Sequence, residues 1–520
     1  MSVEERLKNY TPRDLTALRR GIEKESLRVR PDGALADTPH PAALGSALTH
    51  EHITTDFSES QLELITGVHA GVDGCLEELT RIHQFVYAVL AGEAGSEASS
   101  EILWASSMPC RLPQDDKIPI GRYGGSNIGR MKSIYRHGLS HRYGRRMQTI
   151  SGIHYNFSVA GTSTEDYFAL IRNFRRQSWL ALYLFGASPA VCSTFVAGRP
   201  HELRELRAGT MYLPHATSLR MGRLGYQSDA QASLCVSYNG LDRYAASLHE
   251  ALTRPYPPYE KIGLRDGEDY RQLSTSLLQI ENEFYSTIRP KRSIRPGERP
   301  LHALRERGVE YVEVRLMDLD PFEAVGINAQ TMRLLDVLLL HCLLSDSPPD
   351  TPAEIGEIGR NQHLVAARGR EPGLALFRGG REVTLAEWGA DILAGCAPIA
   401  EALDAAHGGS AHADALAHAH ALLKDSSLTP SARVLSALAR NHDNVYLRFG
   451  LVQSLLHAGY LRGLPLADET VKAFEATAAK SLAEQKRIEA ADTLDFESYR
   501  KRYLSHETLV IGEPRYRADR

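Results

Sequence analysis

Residues 20–30 read RGIEKESLRVR, and the acids at Glu23 and Glu25 decide how the chain is to be read. A strand advances about 3.3 Å per residue and alternates its faces, so residues two apart project from one face roughly 7 Å apart. The same spacing returns three times. Residues 53–66, ITTDFSESQLELIT, carry Asp56 and then Gln61 and Glu63. Residues 148–158, QTISGIHYNFS, carry His154 and Asn156, and residues 308–316, GVEYVEVRL, carry Glu313 and Arg315. The intervening positions are often apolar: Leu62 and Leu64, Ile153 and Phe157 around Tyr155, Val312 and Val314. One sheet face then packs on helices while the other displays carboxylates, an imidazole and an amide.

Any single pair fits the solvated face of an amphipathic antiparallel strand. Four pairs favour a functional surface, because converging carboxylates repel one another unless cations bind among them. Hard oxygen ligands with one histidine and no thiolate suit magnesium or manganese rather than zinc. The pattern therefore predicts a multi-metal site, and bound magnesium commonly presents nucleotide phosphates. Residues 277–292, LLQIENEFYSTIRPKR, bring Glu281, Glu283 and Tyr285 ahead of Arg289, Lys291 and Arg292. Fixed cations near a metal–phosphate site neutralise charge as a phosphoryl group moves. Arg315, beside Glu313, is the best single candidate for that work, and an exposed loop is the competing reading of residues 289–292.

Other motifs lose their support. Gly124 and Gly129 have the spacing of a phosphate-binding loop, but Arg130 and Met131 stand where Lys and Ser/Thr are required. The chain has no HExxH, no GxSxG and no strand-coupled GxGxxG, which removes the usual basis for a hydrolase or dehydrogenase reading.

The composition agrees with an ordinary globular enzyme. Of 520 residues 43% are hydrophobic and 24% charged, with a formal net charge of -4, so no field of one sign favours nucleic acid or membrane. The N-terminal stretch is charged throughout, and no window approaches the ~20 continuous apolar residues of a spanning helix. Six scattered cysteines without a CxxC pair suit a reducing cytoplasm and argue against a disulfide framework. Near residue 325 the chain changes character. Residues 1–325 are expected to form an antiparallel-sheet region and residues 326–520 a mainly helical one. Strands are expected over 22–30, 61–66, 150–159, 232–239, 277–285 and 309–316. Helices are expected over 74–92, 131–140, 165–183, 329–344, 384–406, 412–424, 430–440 and 466–490. Residues 94–100 and 405–412 read as exposed loops. The histidines near His412 invite a metal, but without a second ligand group a solvated Ala-rich segment explains them better.

Read together, RGIEKESLRV, GSALTHEHITTDFSESQLELIT, SSMPC, YGGSNIGR, MQTISGIHYNFS, YLPHATSLRMGRLGY, LQIENEFYSTIRPKR and GVEYVEVR resemble bacterial glutamate–cysteine ligase, in that family's order over residues 19–345. The resemblance implies an α+β fold, a curved, mainly antiparallel sheet forming a funnel with helices outside. It implies that ATP, with two or three magnesium ions or manganese in their place, phosphorylates the side-chain carboxylate of glutamate. The amine of cysteine then displaces phosphate to give γ-glutamylcysteine. Glu23, Glu25, Asp56, Glu63, His154 and Glu313 match the family's metal-ligand positions, with Asn156 adjoining. Arg315 matches the residue that stabilises the transferred phosphate, and Phe57, Tyr135, Arg220, Tyr226 and Tyr285 match the amino-acid pocket. Further expectations are a cytoplasmic monomer, feedback by glutathione, and no nucleic-acid or membrane partner. Two other readings stay open: a relative that couples glutamate to another amine, and a catalytically silent sensor, which should have lost one of the five acids.

Overall fold

A computed structural model describes residues 2–92, 101–225, 229–232, 234–295 and 297–505. Its centre is an antiparallel sheet whose strands, numbered in chain order, are β1 Arg19–Val29, β2 Ile53–Thr55, β3 Gln61–Ile65, β4 Ile102–Leu103, β5 Gly152–Ser158, β6 Ile288–Lys291 and β7 Tyr311–Asp318. They lie side by side as β6-β7-β5-β1-β3-β2, and β4 pairs with the end of β1. The sheet is open, with β6 and β2 at its edges. An edge position suits β6, because Pro290 has no amide hydrogen to give a second neighbour.

The apolar alternation works as expected. Ile22, Leu62, Leu64, Ile153, Tyr155, Phe157, Val312 and Val314 are all buried, on the face that the helices cover. The helices used below are α1 Val72–Gly92, α2 Asn127–Tyr143, α3 Thr164–Phe185, α4 Ala329–Leu344, α5 Pro352–Arg368, α6 Leu385–His407, α7 Tyr446–Gly463, α8 Asp468–Ala491 and α9 Phe496–Leu504. Two polar contacts cross from this buried sheet face to the helices. Lys24 Nζ lies 2.8 Å from Nε2 of His83 in α1, and the Tyr155 hydroxyl donates to Asp336 of α4 at 2.7 Å. Leu15 and Leu461 belong to one hydrophobic core, so the later helices pack into the same interior as the sheet. None of the described helices is long and apolar enough to cross a membrane.

Four sequence expectations are corrected. Residues 234–239 form no strand; Tyr238 and Asn239 instead bond Asp350, which accepts the Tyr238 amide at 3.3 Å and offers its carbonyl to the Asn239 amide group at 2.9 Å. Residues 277–285 form no strand either but contain a short 3-10 turn, Glu281–Glu283, and the strand begins at Ile288. The acids that suggested alternation there are each taken by a distant arginine: Glu281 by Arg299 at 2.8 Å and Glu283 by Arg142 at 2.9 Å. Cys110 and Cys192 form a disulfide with Cα atoms 5.0 Å apart, a tertiary pairing invisible in their wide spacing. His412 is 7% exposed rather than solvated, held by Asp404 at 2.8 Å. Residues 94–100 lie outside the described residues. Leu241–Thr253, α5, α7 and α9 are helices that the periodicity reading did not anticipate.

Candidate active site

The strand register brings the predicted acids together. Glu23 stands opposite His154, Glu25 opposite Glu63, Glu313 opposite Asn156, and Arg289 opposite Glu313. Residues opposite one another point to the same face, so β6, β7, β5, β1 and β3 contribute to one polar surface. Asp56 follows β2 on a turn whose amide is held by the Gln61 carbonyl at 3.0 Å. The Asp56 carbonyl accepts the Tyr123 hydroxyl at 2.7 Å and the Arg136 guanidinium. Its backbone is thus fixed and its carboxylate faces the cavity.

That cavity holds about 560 Å³. Glu23, Glu25, Asp56, Glu63, His154 and Glu313 line it, with the cations Arg289, Lys291 and Arg315 and the aromatics Phe57, Tyr135 and Tyr285. His154 reaches three acids: Glu23 at 3.2 Å, Glu25 at 3.6 Å and Glu313 at 3.7 Å. Two clusters of potential ligand atoms share it, one with Glu23 and Glu313, the other with Glu25 and Glu63. Asn156 donates to Glu23 at 3.0 Å, while its own side-chain oxygen is buried with no hydrogen-bond partner among the described residues.

The two clusters differ electrostatically. Burial and the neighbouring Asp56 push Glu25 up to about 8. Burial together with Glu23, Asp56 and Glu25 raises Glu63 well above the usual carboxylate range. Glu313 is equally buried, yet Lys291 at 3.1 Å and Arg315 at 3.0 Å hold it well below that range. Burial and Arg315 lower His154, which favours a neutral imidazole able to ligate. Paired acids that resist ionising, an orphaned amide oxygen and a neutral histidine form a hard donor set that fits a divalent cation.

Arg220 lies behind Arg315. Its guanidinium donates to the Arg315 carbonyl at 2.9 Å and approaches Asp318 to 3.9 Å. It lines a smaller cavity of about 120 Å³ that shares Tyr285 and Arg315 with the main one. Arg292 does not reach the main cavity. It donates to the Arg307 carbonyl at 2.7 Å and pairs with Glu310, because β6 alternates and Lys291 takes the inward direction. Tyr226 lies outside the described residues.

A profile of the glutamate–cysteine ligase family matches residues 5–365. The chain belongs to the glutamate–cysteine ligase family. The reaction that comes with this membership joins glutamate to cysteine as γ-glutamylcysteine. A glutamate–cysteine ligase of Alcanivorax borkumensis is 48% identical over 94% of this chain and 96% of its own length. One from Pseudomonas putida strain W619 is 50% identical over 92% of this chain and 93% of its own. The crystal structure of glutamate–cysteine ligase from Francisella tularensis in complex with AMP superposes with a TM-score of 0.88 at 36% identity, over 94% of this chain and 98% of that one. A bifunctional glutathione synthetase from Pasteurella multocida shares the fold, with a TM-score of 0.71 at 24% identity.

Several cavity residues were not read from sequence. Lys132 and Arg136 of α2 line the cavity beside Gln148, and Gln148 donates to the Tyr285 hydroxyl at 3.0 Å. Lys132 and Arg136 lie one helical turn apart, so both face inward; reading the acids alone could not show that α2 covers them. Tyr499 and Tyr503 arrive from α9, far beyond β7 in the chain, with no local signal at all.

Proposed function

We propose that this cavity transfers the γ-phosphoryl group of ATP to the γ-carboxylate of glutamate and then lets the amine of cysteine displace phosphate. A carboxylate is a poor electrophile, and the mixed anhydride supplies a leaving group that the free acid lacks. In the first step an oxygen of the glutamate γ-carboxylate bonds to phosphorus and ADP departs. In the second the amine nitrogen bonds to the acyl carbon, inorganic phosphate departs, and the amine gives up a proton.

Glu23, Glu25, Asp56, Glu63, His154, Glu313 and the Asn156 oxygen are the residues that would hold magnesium. When bound, magnesium would screen the phosphate charge and orient the triphosphate. The observation that carries the reading is the position of the Arg315 guanidinium, 3.0 Å from Glu313 and 3.4 Å from His154. A cation fixed among metal-ligand carboxylates is suited to charge building on a phosphoryl group in flight. Arg289 and Lys291 extend the positive wall on β6 toward the remaining phosphates.

Arg220, a planar fork beside the smaller cavity, suits an amino-acid α-carboxylate. Phe57, Tyr135 and Tyr285 enclose a small acceptor and offer no acid to the amine of a longer side chain, which favours cysteine. We further infer that the enzyme acts in the cytoplasm as a monomer and that glutathione, which contains the γ-glutamylcysteine unit, restrains it at this site. The test is phosphate release from magnesium and ATP with glutamate and cysteine supplied separately and together. Release requiring both, with γ-glutamylcysteine detected by mass spectrometry, supports the reading. Release with glutamate and another amine would reassign the acceptor, and no release under any pairing would remove the catalytic reading.

A further inference from the structure

We propose that Tyr499 and Tyr503 of the C-terminal helix α9 form the subsite that takes the purine base of the nucleotide. This rests on the nucleotide reading above and concerns residues outside the span matched by the family profile, which ends at 365.

The cavity changes character along α2. Lys132 and Arg136 lie beside Glu63, whereas Met131 nearer the helix start packs with Leu273 and Ile280, and Ile128 lines the same cavity. Two turns separate Ile128 from Arg136, roughly 12 Å at 1.5 Å per residue. Met131, Leu273 and Phe496 make a small hydrophobic cluster separate from the main core, and Tyr135, Ile280, Tyr499 and Tyr503 pack on it. The wall of the cavity formed by Met131, Leu273, Ile280, Tyr499 and Tyr503 is therefore apolar and aromatic, while the wall formed by Lys132, Arg136 and the acids is charged.

α9 and the residues leading into it are anchored to the segments that line the cavity. Arg500 donates to the Leu273 carbonyl at 2.6 Å, and the Asn127 side chain donates to the Leu494 carbonyl at 2.9 Å. The buried Glu281–Arg299 pair sets the Arg299 guanidinium 5.6 Å from the Tyr503 ring centre. Tyr499 and Tyr503 lie four residues apart and so share one helix face. Their rings are within 16° of parallel, with centres 6.3 Å apart, and both border the cavity. Glutamate and cysteine carry no planar aromatic group. Of the three substrates only the nucleotide has one, and phosphates anchored at the charged wall direct its base toward the aromatic one. Stacking on tyrosine requires no particular hydrogen-bond edge.

The test uses the full chain with Tyr499→Ala, Tyr503→Ala and the corresponding Phe variants. Each Ala variant should raise the KM for ATP about tenfold, with kcat and the KM for glutamate nearly unchanged, and each Phe variant should behave like the parent. Calorimetry with magnesium tripolyphosphate, which has no base, separates stacking from damage to the cavity; its affinity should be the same in parent and Ala variants. An unchanged KM for ATP in the Ala variants would overturn the assignment. So would a tripolyphosphate affinity that falls as far as that for ATP. A parent enzyme that binds neither probe removes the nucleotide reading, and this assignment with it.

Discussion

Glu25 of β1 stands directly across from Glu63 of β3, both carboxyl groups facing the cavity. His154 is the histidine they share, with its ring 3.6 Å from Glu25. Two acids facing each other across the sheet, Glu25 buried and Glu63 half-buried, cost stability when both ionise, and a fold retains such a pair where a cation is to be bound.

This pair gives the metal-free protein a pH dependence. The folded-state pKa of Glu25 is about 8 against an ordinary 4.5, so between those values the folded state holds more protons than the unfolded one. Stability contributed here is full below about pH 4.5 and is lost as pH rises toward 8. Magnesium should reverse that loss. Thermal melts with and without magnesium should show a larger rise in Tm at pH 8 than at pH 5.5, and equal rises at both would contradict the assignment of this pair.

Arg315→Ala should lower kcat by a factor on the order of 10² to 10³ while the protein still binds magnesium. Glu313→Gln should abolish turnover as well, with the fold intact, because it removes the charge that Lys291 and Arg315 face. Steady-state kinetics paired with circular dichroism check both. Normal ATP-dependent turnover in either variant would remove that residue from the site.

Adjacent cations on β6 should behave oppositely. Lys291→Ala should raise the KM for ATP severalfold, since its side chain lies 3.1 Å from Glu313. Arg292→Ala should leave the KM for ATP as it is, because its guanidinium is spent on Arg307 and Glu310. The comparison is made by titrating ATP at saturating amino acids.

Gly152 allows Arg220 its position. A Cβ at residue 152 would meet the Arg220 guanidinium, and the Gly152 amide also donates to Glu25 at 2.7 Å. Gly152→Ala should therefore displace Arg220 and cost on the order of 10²-fold in kcat/KM for the amino-acid substrates. Unchanged amino-acid kinetics would show that Arg220 does not contact them.

Far from the site, Gly450 of α7 packs against Trp104, whose ring a Cβ at residue 450 would overlap. Gly450→Ala should cost about 1–3 kcal/mol of stability through overpacking, lowering Tm in calorimetry while leaving activity at permissive temperature close to normal.

The acids on β1, β3 and β7, and His154 and Asn156 on β5, were legible because a strand writes its two faces into the sequence at a period of two. A polar row between buried Leu62 and Leu64, or between Val312 and Val314, marks one functional face by its spacing alone. Helices α1, α2, α3, α4, α6 and α8 were legible for the same reason at their own period, whereas α5 and α7 were not. Pairings made at a distance leave no such mark. Glu281 and Glu283 imitated a strand because their partners, Arg299 and Arg142, come from other segments, and the real strand, β6, was disguised by Pro290, which only an edge position tolerates. Arg289 and Lys291 looked like loop residues until β7 paired with them. The disulfide between Cys110 and Cys192, the inward turn of Lys132 and Arg136, and the arrival of Tyr499 and Tyr503 at the cavity were likewise decided by which surfaces pack together. Local period fixes what each segment presents on its own faces; packing between segments far apart in the chain decides what each face meets.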